Sequence, residues 1–284
     1  MMTVRFTKMQ GAGNDYVYVD LTSEVVEDPA PLARAISERR FGVGADGLIL
    51  IAPSARAAAR MEMYNNDGSR AAMCGNGIRC VAKYLFDRGR APAVMMIDTD
   101  AGLRRVEILE RDGRAAGATV DMGVPELEPS RIPMRFAGAP PRSAIEYPLD
   151  VNGQKIPLTA LSLGNPHAVI FVECVVRAPV AVLGPAIENH AAFPERVNVS
   201  FVEVLNASHV RQRTWERGSG ETLACGTGAT AGAVAAILTG RARTPLTVSL
   251  PGGDLEVAWE GQGKSSYLTG PAVEVFRGEW VGER

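Results

Sequence analysis

The chain has 284 residues, 46% of them hydrophobic and 22% charged, with a formal net charge of −2 at pH 7. The length leaves room for two domains of ordinary size, and the composition is that of a folded globular protein. With no net positive charge and no basic run interleaved with aromatics, there is no electrostatic footprint for nucleic acid or an anionic membrane surface, and no apolar run approaches the roughly 20 residues of a membrane span.

Met1-Met2-Thr3-Val4-Arg5 lacks the apolar core of a signal peptide. Residues 4–9 and 16–20 read as strands around the loop Gln10-Gly11-Ala12-Gly13-Asn14-Asp15, and 31–40 as a short helix with proline near its start. Residues 47–51 and 61–65 are strand-like, and the polar Asn66-Asp67-Gly68-Ser69 leads to Cys74-Gly75-Asn76-Gly77. There Ile78, Val81, Ala82, Leu85 and Phe86 form an apolar stripe at helical spacing, with Gly89 at the C-terminal cap. Strands are expected at 94–98, 103–109 and 116–120, the last two joined by the hairpin dipeptide Asp112-Gly113.

A proline-rich stretch, 125–148, separates the halves, with a strand expected at 132–136. Strands at 156–162 and 168–172 then flank Gly164-Asn165-Pro166-His167, a helix suits 180–190, and strands follow at 197–204 and 210–215. After Cys225-Gly226-Thr227-Gly228, residues 229–238 are apolar or small all round, as in a buried helix capped at Gly240. Several strands surround each helix without regular βαβ alternation, which predicts an α+β fold with largely antiparallel sheets.

The two Cys-headed helices are related by an internal shift: 225 − 74 gives 151. The same shift carries Gly13-Asn14 onto Gly164-Asn165, Ala82 onto Ala233, Gly89-Arg90-Ala91 onto Gly240-Arg241-Ala242, and Gly102 onto Gly253. An ordered set at one offset is a duplication. Each half thus places a thiol at a helix N-terminus, where unpaired N–H groups and the dipole favour an anion and lower a thiol pKa.

Two thiols at equivalent places suit inversion at the Cα of an amino acid. One thiolate removes the proton, and the other thiol delivers one to the opposite face. The backbone N–H groups of Gly75, Asn76, Gly226 and Thr227 would hold the substrate carboxylate and the charge that grows on it. Cys80 and Cys174 read as small buried hydrophobes. The cysteines include no C-x-x-C pair and no zinc-like cluster with histidine, so no metal or disulfide framework is expected. A disulfide between Cys74 and Cys225 would inactivate or regulate. Neither glycine-rich stretch has phosphate-loop spacing. The setting expected is the reducing cytoplasm.

The ordered set of motifs resembles the diaminopimelate epimerase family over essentially the whole chain. The matching residues are Gly11-Ala12-Gly13-Asn14-Asp15, Asn65-Asn66-Asp67-Gly68-Ser69 and Met73-Cys74-Gly75-Asn76-Gly77-Ile78-Arg79-Cys80. They continue with Gly164-Asn165-Pro166-His167, Pro194-Glu195-Arg196-Val197-Asn198, Glu216-Arg217-Gly218-Ser219-Gly220-Glu221-Thr222 and Ala224-Cys225-Gly226-Thr227-Gly228. The resemblance implies two pseudo-symmetric domains, each a mostly antiparallel sheet wrapped around a central helix. The first covers 1–125 and regains a last strand in 272–284; the second covers 126–271.

It implies a cofactor-independent isomerase that interconverts LL- and meso-diaminopimelate in lysine and peptidoglycan precursor synthesis, and a homodimer. Position by position, Cys74 and Cys225 match the acid/base pair. Asn14, Asn65, Asn165, Asn198, Glu216 and Arg217 match residues that grip substrate, largely at its distal end. His167 matches a histidine near the site, with a hydrogen-bonded scaffold role weighed against proton transfer. Gly47 stands where the family often has glutamine. The nearest rival is a proline-racemase-like enzyme of the same architecture. Asn76, standing where proline racemases tend to carry histidine, speaks against it, as does the Glu216-Arg217 pair, which a ligand without a distal charged group would not need. A non-catalytic ligand-binding or thiol-redox protein is the rival from another class.

Overall fold

The computed structural model describes residues 2–136, 141 and 143–282. Its first strands, β1 (Met2–Gly11) and β2 (Asn14–Asp20), pair antiparallel around Ala12 and Gly13. Both turn residues take positive φ, 54° and 80°, the hand that matches the twist of a tight hairpin. Val4 and Phe6 of β1 and Val17 and Val19 of β2 bury one face against Leu32, Ala33 and Ile36 of α1 (Pro29–Ser37). α1 ends before residue 40, where the sequence reading had placed its end. The Glu38 backbone is extended, and its carboxylate takes the N–H groups of Arg40 and Phe41 that a further helical turn would need.

β3 (Gly47–Ala52) runs parallel to β2, β4 (Ala59–Asn65) antiparallel to β3, and the two-residue β5 (Arg70–Ala71) folds back on β4. α2 (Gly75–Asp87) then crosses to β6 (Val94–Thr99), which is parallel to β4, and the chain continues antiparallel through β7 (Gly102–Arg111) and β8 (Arg114–Gly123). Asp112 and Gly113 have φ of 53° and 74°, the hairpin expected there. The stripe Ile78, Val81, Ala82 and Leu85 is fully buried. Burying each of its larger side chains contributes about 1.5–3 kcal/mol, which ties α2 to its strands more strongly than helix propensity does.

Residues 132–136 are not a strand. Ile132 and Met134 are buried in the core that includes Leu149, Leu158 and Phe193, yet the backbone bonds serve turns: Ile132 N–H donates to Glu128 O and Arg135 N–H to Ala192 O. Pro133 has no N–H to give a ladder. The apolar alternation there marks a loop whose side chains plug the core.

The next strands are β9 (Tyr147–Val151), β10 (Gln154–Ser162), antiparallel to β9, and β11 (Pro166–Phe171), antiparallel to β10. α3 (Val180–Glu188) stops at an Asn189 cap, two residues short of expectation. It leads to β12 (Asn198–Asn206), parallel to β11, then to β13 (His209–Glu216) and β14 (Gly220–Thr222). α4 (Gly226–Leu238) crosses to β15 (Leu246–Leu250), parallel to β13, which pairs antiparallel with β16 (Gly253–Trp259). The small residues of α4 let it sit close to its sheet. A Cβ on Gly232 would lie 2.0 Å from Gln212 Oε1. β17 (Ser266–Pro271) and β18 (Val273–Gly282) complete the chain, and β18 pairs antiparallel with β1.

The chain divides into two compact units, Met1–Asp121 with Thr269–Arg284, and Met122–Leu268. The element order β1-β2-α1-β3-β4-β5-α2-β6-β7 recurs as β10-β11-α3-β12-β13-β14-α4-β15-β16, with parallel pairs at the same two crossings. α2 and α4 have 13 residues each and start 226 − 75 = 151 positions apart. This is an α+β fold in which antiparallel pairing predominates and each long helix packs on the strands of its own unit. Among the described residues, no helix is long and apolar enough to cross a membrane, and no group of three or more His, Cys, Asp or Glu gathers around a metal position.

Candidate functional site

Cys74 and Cys225 are the N-caps of α2 and α4. Their backbones are extended, with φ, ψ of −134°, 119° and −118°, 113°. Each sulfur accepts the N–H three residues on, from Gly77 and from Gly228, at 3.3 Å in both cases. The thiol thus takes the place of the hydroxyl or carboxylate that usually caps a helix, and it sits where the dipole favours its anion. Gly75 and Asn76 form the first turn of α2, and Gly226 and Thr227 that of α4.

In the first unit Asn14 opens β2 and turns its Oδ1 to Cys74. It accepts from Cys74 Sγ at 3.4 Å and from Asn76 Nδ2 at 3.3 Å, while its own Nδ2 donates to Asp46 Oδ2 at 2.7 Å. Asn65 ends β4, and its Nδ2 donates to Ser69 Oγ at 3.0 Å across its own turn, which joins it to the loop ahead of Cys74.

In the second unit Cys225 is buried, with Sγ 3.6 Å from Thr227 Oγ1. Burial, and then the Glu216 carboxylate, hold its thiol well above the ordinary range, against the hydrogen bonds from Thr227 and Gly228. Glu216, at the end of β13, accepts from Thr222 Oγ1 at 2.5 Å. Asn165 Nδ2 donates to Thr227 Oγ1 at 3.4 Å, and its Oδ1 faces His167 Nε2 at 3.0 Å. Burial, and then the charge of Arg217, bring His167 down to about 3. The ring is therefore neutral at pH 7 and donates from Nε2, which leaves Nδ1 buried without a partner.

Asn198 uses both ends of its amide: Nδ2 donates to Pro166 O at 3.0 Å and Oδ1 accepts the Arg217 N–H at 3.0 Å. Arg217 is exposed and donates from Nη1 to Glu195 O at 2.9 Å. Among the described residues it makes no ion pair.

The structure corrects two cysteine readings. The Cys225 thiol, expected to be lowered at its helix N-terminus, is raised by burial and then by Glu216, and Cys174 is not buried like Cys80. Cys80 is fully buried and its thiol is pushed up to about 11 by burial. Cys174, expected to match it, is only half-buried, and hydrogen bonds from the backbone and then the side chain of Arg177 lower its pKa. All four cysteines are free thiols. A groove of about 450 Å³ lined by Arg5, Tyr18, Asp20, Tyr84, Arg88 and Arg277 contains neither cap cysteine.

Sequence reasoning passed over three residues. Arg79 lies on the buried side of α2, Asp46 grips Asn14, and Glu188 accepts from Trp215 Nε1 and from Gly218 N–H beside Arg217. The signal for Arg79 was a cation four places after Gly75 and three before Ala82, on the apolar side of a helix. For Glu188 the signal is only spatial.

The family model for diaminopimelate epimerase matches residues 6–128 and 159–275. The chain is 50% identical over 283 residues to a diaminopimelate epimerase of Desulfovibrio desulfuricans, and 50% identical over 279 residues to one of Moorella thermoacetica. Both alignments cover 98% of this chain and 99% of the relative. Among solved structures, a probable proline racemase from Agrobacterium radiobacter superposes with a TM-score of 0.70 at 18% identity, covering 97% of this chain and 92% of that one, which is likeness of fold. Matched in both halves, and half identical to relatives along nearly its whole length, the chain belongs to the diaminopimelate epimerase family.

Proposed function

We propose that the protein interconverts LL- and meso-diaminopimelate by moving a proton at one Cα, with Cys74 and Cys225 as the acid/base pair and no cofactor. The observation that supports this most is the matched capping of two helices by two thiols, each 3.3 Å from a backbone N–H. The reaction needs one sulfur on each face of the carbon. A thiolate takes the α-proton, the electron pair passes into the carboxylate as an enolate, and the other S–H returns a proton from the opposite side. The thiol and thiolate then exchange roles, so atoms and charge balance without an oxidant.

Backbone N–H groups of Gly75, Asn76, Gly226 and Thr227 hold the reacting carboxylate, where helix ends stabilise growing negative charge. Asn14, Asn65, Asn165, Asn198, Glu216 and Arg217 bind the rest of a ligand with two zwitterionic centres. The carboxylate of Glu216 suits an ammonium, and the guanidinium of Arg217 suits a carboxylate. With this function go lysine and peptidoglycan precursor synthesis and a reducing cytoplasm that keeps the thiols out of disulfides; the family resemblance adds a homodimer.

The test is hydrogen exchange. Incubation with LL-diaminopimelate in deuterated water should put deuterium at Cα and yield the meso form. No exchange would remove the reading, and exchange with proline in its place would move the protein to the racemases that share its fold.

A further inference from the structure

Arg79 follows Cys74 by five residues on α2, and its side chain is wholly buried. Its guanidinium donates from Nη1 to Gly75 O at 3.1 Å, from Nη2 to Asn76 Oδ1 at 2.8 Å and from Nε to Pro271 O at 3.2 Å. A buried cation is costly unless something compensates its charge. Burial lowers the pKa of this guanidinium, and the thiols of Cys80 and Cys74 and the hydroxyl of Tyr18 act against that.

The bonds also have a direction. Arg79 only donates, so Asn76 must turn Oδ1 to it and offer Nδ2 to Asn14. The Asp46 carboxylate only accepts, so Asn14 must turn Nδ2 to it and Oδ1 to Asn76 and Cys74. An obligate donor at one end and an obligate acceptor at the other fix both amides between them.

We infer that Arg79 is the positioning residue of Cys74: it locks the Asn76 and Asn14 amides and supplies the fixed positive charge against which the Cys74 thiolate forms. Asn14 Oδ1 favours the protonated thiol; the Gly77 N–H and the Arg79 charge favour its anion. A group that must both take and give a proton needs both influences. The inference rests on the reading of Cys74 as an acid/base group.

The neighbouring charges leave this pairing intact. From α2 itself, Cys80 is pushed up to about 11, and from β2 the Tyr18 hydroxyl is raised well above its ordinary value by burial, so both stay neutral. Ahead of β3, Asp46 is held by Arg39; on β1, Lys8 is held by Asp15. On β6, Asp98 is taken up by Arg56 and Arg60, and on β18, Glu274 by Arg88 and Arg277. Along α2, Lys83 pairs with Asp87, and Tyr84 donates to Asp20.

The second unit lacks the charge. Position 230, which is 79 + 151, is threonine. Thr230 Oγ1 donates to Gly226 O at 2.9 Å, just as Arg79 Nη1 donates to Gly75 O. The hydrogen bond to the carbonyl four residues back is kept and the cation is not.

The experiment follows iodoacetamide alkylation of each cysteine against pH, by peptide mass spectrometry, in the wild type, Arg79→Gln and Arg79→Lys. Glutamine keeps a donor for Asn76 without charge; lysine keeps the charge. In Arg79→Gln the Cys74 rate near neutral pH should fall about tenfold, one unit of apparent pKa. Arg79→Lys should recover most of it, and Cys225 should be unchanged in both. An unaltered Cys74 profile in Arg79→Gln overturns the inference, as does an equal loss at Cys74 and Cys225, which marks a packing role. Should the variants not fold, the wild type decides: Cys74 must be alkylated at lower pH than Cys225, and the reverse order overturns the inference. Alkylation needs no substrate, so a failure here is distinct from a failure of the deuterium exchange.

Discussion

Cys74 and Cys225 close their helices with the same bond, a sulfur accepting the N–H three residues on at 3.3 Å. A thiolate accepts this bond better than a thiol, so the cap stabilises the anion. Serine in either place keeps a cap but offers a hydroxyl far too weak as an acid. Cys74→Ser and Cys225→Ser should each lower kcat by about 10²–10⁴-fold. Cys80→Ser, at a buried thiol pushed up to about 11, should keep most of the activity. Steady-state rates of the three variants check this, and similar activity in all of them would remove the acid/base assignment.

Labelling should also single out cysteines. Cys174, half-buried and lowered by Arg177, should alkylate with or without substrate. Diaminopimelate should protect Cys74 and Cys225 alone. Protection of Cys174 to the same degree would mean that the ligand acts by tightening the whole chain.

The neutral His167 makes stability depend on pH. Its folded-state value, about 3, lies below the ordinary 6.5. Between these values the unfolded chain binds a proton that the folded chain refuses. Its contribution is therefore full above 6.5 and falls by about 1.4 kcal/mol for each pH unit below, down to about pH 3. Urea midpoints at several pH values should show a shallower acid limb for His167→Gln than for the wild type.

Gly47 has no room for a side chain. A Cβ there would lie 2.2 Å from Tyr64 O and 3.0 Å from the Tyr16 ring. Gly47→Gln should destabilise by about 1–3 kcal/mol, the usual cost of overpacking, with no gain in substrate affinity. Thermal denaturation alongside KM tests both halves of the statement.

Arg217 and Glu188 separate binding from stability. Arg217→Met breaks no ion pair among the described residues, so Tm should hold while kcat/KM falls about 10–100-fold with a charged hydrogen bond to ligand lost. Glu188 is buried and accepts from Trp215 Nε1 at 2.7 Å, Gly218 N–H at 2.8 Å and Arg196 at 3.3 Å. Glu188→Ala leaves those donors unpaired, costs about 1–3 kcal/mol and loosens the turn carrying Arg217. Tm and KM should move together in that variant and apart in the other.

The amino-acid sequence by itself determined the helices behind Cys74 and Cys225, the hairpin at Asp112-Gly113 and the 151-residue repeat. Each of these is written in local spacing: an apolar stripe, a turn dipeptide, a cap followed by glycine. Only the tertiary structure decided that 132–136 is a core-filling loop, because apolar alternation reports burial and cannot tell a ladder from a turn whose N–H groups find distant carbonyls. It likewise decided the direction of the Asn14 and Asn76 amides, the neutrality of His167 and the burial of Arg79. Hydrogen-bond direction and desolvation depend on which groups the folded chain brings within a few ångströms, and residues far apart in sequence, such as Arg79 and Pro271, supply them.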